Sequence, residues 1–295
     1  MSRRAFSDMA VNPPRFRVRA LTGAGGCVVE GVRLHGGLST DMVDALNSAL
    51  LSCKVLFFRD QQHLDSDEQE RVAALFGVPF THPNALGNSG AAMLILSSDT
   101  FSETDNKHPR NDVWHVDGAY LDAYPKIAVL QAVVVPPFGD TLWANTATAY
   151  RRLAEPLRRL ADRLWVRHSN APCLAPPDAR TAAAAARFEA LHPMVIVHPE
   201  TRERSLLLGN LAQRIDGLSA RESAVLIDLF QSHIERPEHV IRWSWREGDV
   251  AIWDARSSQN FTVDDYGEQE RLMRRVLVKG EAPIGVDGRR SVAVY

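Results

Sequence analysis

A histidine and an aspartate two residues apart, His115 and Asp117 in Trp114-His-Val-Asp117, are the residues of this chain best spaced to do chemistry. Side chains on a strand alternate with period two, so an imidazole and a carboxylate at i and i+2 project to the same side and can share one cation. Two histidines and one carboxylate on one face of an octahedron, with the other positions open, make the ligand set of oxygen-activating non-haem Fe(II). His115 and Asp117 supply two of those three. The pair alone is a short motif that an ordinary surface strand end would also produce, so the rest of the chain has to decide.

The elements around the pair read as a β-rich scaffold. Met42, Val43, Leu46 and Leu50 fall at helical spacing in Thr40 to Cys53, and the apolar run Lys54 to Arg59 follows as a buried strand. Ser66 and Gln69 read as a capping box opening a helix through Val72, Leu75 and Phe76, which Gly77 stops. Short strands are expected at Met93 to Ser97, Ile127 to Val135, Met194 to His198, Ser205 to Leu208, Val240 to Trp245, Val250 to Asp254 and Arg274 to Lys279. Helical patterns recur at Thr146 to Leu164, interrupted at Pro156, at Thr181 to Leu191, and at Ser219 to His233 behind a second box, Ser219 with Glu222. Many short strands with helices gathered at the start and in insertions predict a mainly β fold with flanking helices, a sandwich or open barrel. Rossmann and P-loop readings lack their glycine fingerprints.

At 295 residues and 45% hydrophobic content, the chain can build a sizeable core, and one domain over 15–284 is the simplest division. A net charge of −2 and a pI near 6.6 offer no basic surface for nucleic acid, and no apolar run of about 18 residues could span a membrane. A small-molecule partner is the expectation. Cys27, Cys53 and Cys173 have no metal-type spacing and argue against a disulfide framework, which fits a reducing compartment. Residues 1–14 lack an apolar core and read as a loose leader, so a cytoplasmic protein is expected. The Pro- and Ala-rich stretch from Ala171 to Ala186 reads as an insertion over the site, a lid near 171–190, and 285–295 as a C-terminal tail.

The order of motifs then resembles a known family. Val55-Leu-Phe-Phe-Arg-Asp60, Phe76-Gly77, His82-Pro83, Trp114 to Asp117, Gly139-Asp-Thr-Leu-Trp143, His192-Pro193, His198-Pro199, Gly248 to Asp254 and Arg271-Leu-Met-Arg-Arg275 follow the pattern of the taurine dioxygenase (TauD/TfdA) family, especially its taurine and alkylsulfate members. The resemblance runs from about Val55 to Pro283 and implies a double-stranded β-helix, a jelly-roll-like barrel with Fe(II) at its mouth. It implies 2-oxoglutarate as co-substrate and O2 as oxidant, with release of succinate and CO2. It makes His115 and Asp117 iron ligands, Thr141 and Arg271 the partners of the distal 2-oxoglutarate carboxylate, and His82, Asn111 and Arg275 the groups facing a small anionic substrate, a sulfonate or alkyl sulfate. Ala85 stands where an aromatic often follows in the taurine enzyme, implying a pocket for something bulkier than taurine. The family commonly forms homo-oligomers, an expectation that no motif here displays. His192 and His198, each before a proline at a strand end, read as structural.

One position departs from the pattern. The family places its third iron ligand, a histidine, just after Trp-Asp-x-Arg-x-x-Gln, and this chain reads Trp253-Asp-Ala-Arg-Ser-Ser-Gln-Asn260. An amide oxygen is neutral and suits harder ions than the Fe(II) that imidazole favours. Two outcomes follow: an iron enzyme with Asn260 as a weak third ligand, or a catalytically impaired homologue that binds a 2-oxo acid or sulfo compound without turnover.

Overall fold

The computed structural model describes residues 16–81, 93–97, 112–171 and 187–294. The expected substrate groups His82 and Asn111, the Ala85 substitution, the leader and most of the insertion lie outside them. Among the described residues the strands are β1 (Arg17–Thr22), β2 (Gly25–Glu30), β3 (Val55–Phe58), β4 (Met93–Ser97), β5 (Ile127–Val134), β6 (Thr141–Asn145), β7 (Trp165–Ser169), β8 (Glu189–Pro193), β9 (Val195–Val197), β10 (Arg204–Leu206), β11 (Ala212–Ile215), β12 (Val240–Trp243), β13 (Val250–Asp254), β14 (Ser258–Thr262), β15 (Leu272–Val278) and β16 (Val292–Ala293). The helices are α1 (Thr40–Cys53), α2 (Ser66–Ala74), α3 (Thr146–Arg152), α4 (Glu155–Ala161) and α5 (Ala220–Ile234).

Seven strands in the order β1-β2-β3-β13-β5-β15-β4 form the major sheet, and β12-β6-β14 form the short sheet that faces it. Alternation along each strand divides the major sheet's residues between two cores. Leu56, Phe58, Val129, Ile252, Val276 and Val278 pack against α1 and α2 through Leu46, Leu50, Val72 and Ala73. Their neighbours Val55, Phe57, Leu130, Trp253, Met273 and Leu277 turn the other way and meet Trp143, Ile241 and Trp243 of the short sheet. Phe57 stacks on Trp243 at 4.3 Å between centroids and meets Trp143 edge-on at 5.3 Å. The layered arrangement is the jelly-roll-like, mainly β fold with flanking helices that the motif order implied. No helix among the described residues is long and apolar enough to cross a membrane.

Several sequence expectations are corrected here. The cap of α2 is Asp65, whose carboxylate accepts from Glu68 N at 2.7 Å, and Ser66 is the first helical residue. Gln69 turns inward instead of closing a box: its Nε2 donates to Val129 O and Arg274 O and ties α2 to the major sheet. The end of the helix expected over Thr181 to Leu191 is strand, because Ala190 and His192 are buried while Glu189 and Leu191 are less so, a period of two that β7 and β16 complete by pairing. Residues 285–294, expected as a tail, include β16, and Ser291 hydrogen-bonds His192. Cys27 and Cys53 form a disulfide between β2 and the end of α1, across a sequence separation of 26 that carries no motif. That pairing removes cysteine usage as an argument for a reducing compartment.

Candidate active site

The site is assembled where β14 meets the segment that leads out of Trp114. His115 N donates to Asn260 O at 3.0 Å and Asn260 N returns a bond to His115 O at 3.0 Å, a single antiparallel bridge that sets the two side chains together. On its other side Asn260 is paired with Trp143 of β6, and Thr262 with Thr141. Directly opposed residues share a face, so Thr141, Trp143 and Asn260 all look into the space between the sheets. From the major sheet, Arg275 lies on β15 between Met273 and Leu277, both of which face the same interior. His115, Asp117, Asn260 and Arg271 are 7%, 7%, 6% and 7% exposed.

The hydrogen bonds assign the imidazole. His115 Nδ1 lies 2.7 Å from Val113 O, and a carbonyl can only accept, so Nδ1 carries the proton and the Nε2 lone pair faces the site. Asn260 Nδ2 donates to that lone pair at 3.0 Å. Burial holds the His115 imidazole below its usual pKa against the opposing pull of Asp117 and Val113, so it is neutral near pH 7. Asp117 Oδ1 is 3.8 Å from His115 Nε2 and accepts from Arg275 Nη1 at 2.7 Å. The other oxygen, Oδ2, is buried with no hydrogen-bond partner among the described residues.

Two turns hold these groups. Gly209 (φ +111°) packs against the His115 strand: a Cβ there would come within 3.1 Å of Trp114 O and 3.2 Å of His115 Cα, and Asn210 N donates to Trp114 O. Gly139 (φ +85°) lies under Arg271, where a Cβ would stand 2.8 Å from Tyr266 Cδ1 and 3.2 Å from Arg271 Nε. Its N–H is fixed by Asp265 at 2.8 Å, and two residues on, Thr141 Oγ1 accepts from Trp245 Nε1 at 2.9 Å. Burial lowers the Arg271 pKa, with Tyr266 opposing, but an arginine starts so high that it stays charged.

The turn that leads into β14 carries a network that motif reading passed over. Asp254 accepts from His198 Nε2 at 2.9 Å and from Arg256 Nε and Nη2 at 2.9 and 2.7 Å, and Arg256 also reaches Glu200 at 2.8 Å. Burial pushes the Asp254 carboxyl up, yet the bonds from His198 and Arg256 outweigh it and hold the group well below the usual carboxylate range. His192 donates from Nε2 to Ala119 O at 2.8 Å, in the turn just past Asp117. Both histidines expected to be structural are so placed. The Trp-Asp-x-Arg spacing was visible in the sequence; its partner His198, 56 residues away, was not paired with it there.

A divalent ion is what these residues fit. The Nε2 lone pair and the Asp117 carboxylate converge in a buried place, and Oδ2 is an acceptor that has no donor among the described residues. The third position holds Asn260, which can offer its amide oxygen only after the amide turns over and releases His115. Among the described residues no cluster of three or more His, Cys, Asp or Glu forms a metal site, as expected when the third member is an amide. The fit is therefore to two strong ligands and one weak one.

Comparison with known proteins agrees with this architecture. An Acinetobacter baylyi protein described as alkylsulfatase is 40% identical over 95% of this chain and 90% of its own length. A Pseudomonas putida protein described as alpha-ketoglutarate-dependent sulfate ester dioxygenase is 42% identical over 93% of each. The crystal structure of a taurine dioxygenase from Burkholderia xenovorans superposes with a TM-score of 0.81 at 32% identity, covering 96% of this chain and 95% of that one. The family description that fits residues 17–277 takes in both sheets and every described site residue, and with such relatives aligned nearly end to end the chain belongs to the family "Taurine catabolism dioxygenase TauD, TfdA".

Proposed function

We propose that this protein is an Fe(II)- and 2-oxoglutarate-dependent dioxygenase acting on a small organic sulfate ester or sulfonate. The observation that carries the reading is the convergence of buried His115, Asp117 and Asn260 with the half-buried Arg275, in a chain that also buries Arg271. Its two full-length relatives described as an alkylsulfatase and a sulfate ester dioxygenase support the choice of substrate class. His115, Asp117 and weakly Asn260 would hold the iron. Thr141 and Arg271 would hold 2-oxoglutarate, the guanidinium fork matching a carboxylate at any working pH. Arg275, with His82 and Asn111, would face the sulfur oxyanion. When bound, iron and 2-oxoglutarate supply the oxidation: one atom of O2 enters succinate as CO2 leaves, and the other hydroxylates the substrate carbon.

The chain's own residues arrange that chemistry. Val113 fixes the imidazole tautomer with Nε2 toward the site, and burial between the sheets leaves His115, Asp117 and Asn260 little exposed to solvent. Arg275 would orient an alkyl sulfate so that the carbon beside its ester oxygen receives the hydroxyl. That product is a sulfated hemiacetal, which collapses to an aldehyde and hydrogen sulfate.

A second reading, binding without turnover, is favoured by one observation: Asn260 Nδ2 donates to the lone pair that iron needs. Anaerobic addition of Fe(II) and 2-oxoglutarate separates the two. The enzyme gives the weak visible charge-transfer band of a chelated complex. If no band forms at saturating iron while Asn260→His produces one, the binding reading stands for this chain.

A further inference from the structure

Resting on the reading above, we propose that metal loading and anion binding are coupled through Arg275, which stands in for the cation on Asp117 until an anionic substrate draws it away. Asp117 Oδ1, the oxygen nearest His115 Nε2, is the oxygen Arg275 Nη1 holds at 2.7 Å. The two side chains are 13% and 6% exposed, so water does little to screen them. A divalent ion arriving between His115 and Asp117 meets a guanidinium already on its carboxylate and is repelled by it. Arg275 Nε is buried without a hydrogen-bond partner among the described residues, so the guanidinium has donor capacity that the ion pair leaves unused. A sulfate or sulfonate, with three acceptor oxygens, can take those donors and neutralise the charge that opposes the metal.

The consequence is reciprocal. If the anion strengthens metal binding by a given factor, the metal must strengthen anion binding by the same factor. The relation needs no 2-oxoglutarate, because both contacts are between side chains already in place. It also makes Arg275 antagonistic to metal when no anion is present, the reverse of a residue that merely orients Asp117.

The test uses the full chain, stripped with chelator and titrated with Mn(II), free Mn(II) being read from its electron paramagnetic resonance signal, with and without butyl sulfate. Expected is a metal Kd about tenfold lower with butyl sulfate, and a butyl sulfate Kd lower by the same factor with Mn(II), within the ordinary range of coupling. Arg275→Gln should bind Mn(II) more tightly than wild type without the sulfate and lose the coupling. A wild-type metal Kd that does not move while calorimetry shows butyl sulfate bound overturns the coupling and leaves the metal site standing. Absence of Mn(II) binding under either condition overturns the metal reading and the coupling with it. Absence of butyl sulfate binding overturns the role of Arg275 toward an anion. The wild-type titrations decide these cases even if the variant fails to fold.

Discussion

Asn260 differs from an imidazole in what it offers a cation: a neutral amide oxygen, reached only by breaking the bond its Nδ2 makes to His115. Disturbing a mere supporting residue lowers metal affinity about 10–100-fold, so exchanging the ligand itself should cost at least that much. Asn260→His is therefore expected to tighten Mn(II) binding by about 10-fold or more, measured by titration of the metal-free chain; an unchanged Kd would mean that Asn260 does not sit on the metal. Arg271 is tested separately. A charge-assisted bond contributes about 1.5–3 kcal/mol, so Arg271→Ala should raise the 2-oxoglutarate Kd about 10–100-fold, with Arg271→Lys recovering part because it keeps the charge and loses the fork. At this scale the sequence was unusually legible: His115, Asp117, Asn260 and Arg275 were named from motifs and are found in contact. The contacts themselves were not legible, since which donor meets which acceptor depends on a strand bridge between residues 145 positions apart.

The elements place these residues through pairing and through one buried ionic network. The turn from β13 to β14 is tied by Asp254 to His198 and Arg256, and β14 then carries Asn260 into register with His115. Removing one partner of a buried pair leaves the other charged and unpaired, so Arg256→Ala should lose about 3 kcal/mol or more of stability in urea unfolding. A loss under about 1 kcal/mol would show that water replaces the guanidinium at no real cost. Strands with strong apolar runs, such as β13, were read to within a residue from sequence, and so was α1. Strands β1, β2, β6, β7, β11 and β14 were not. β6 and β14 bury polar residues, Thr141 and Asn145 in one and Ser258, Gln259 and Asn260 in the other, so no apolar alternation marks them, and β11 has only four residues. The end of the helix expected over Thr181 to Leu191 shows the same limit: Glu189 to Leu191 lie in β8, where pairing with β7 overrides the local helical reading.

For the whole molecule, the sheets bury histidines as well as apolar side chains. Burial pushes His168 and His192, whose rings lie 5.0 Å apart, down to about 3 and about 4. Both pKa values are below that of an unfolded histidine, so the unfolded chain binds protons first as the pH falls. Stability is then fully present above about pH 6.5 and declines progressively toward pH 4, with His192 alone worth about 2 kcal/mol at pH 5. Urea midpoints measured at pH 7 and pH 5 should fall accordingly, and His192→Gln should flatten the slope; a midpoint independent of pH would contradict the buried, neutral pair. Fold class and family were readable because many motifs in fixed order constrain one architecture, whereas the disulfide and the strand at 292–293 depend on contacts that no local pattern announces. The most direct test of the central claim supplies the metal-free chain with Fe(II), 2-oxoglutarate, air and butyl sulfate, and counts products. Expected are succinate, butanal and sulfate in equal amounts, with succinate formation depending on the sulfate ester. Succinate and sulfate both remaining at background at saturating iron, with the protein folded and butyl sulfate bound, would contradict a dioxygenase and leave a binding protein in its place.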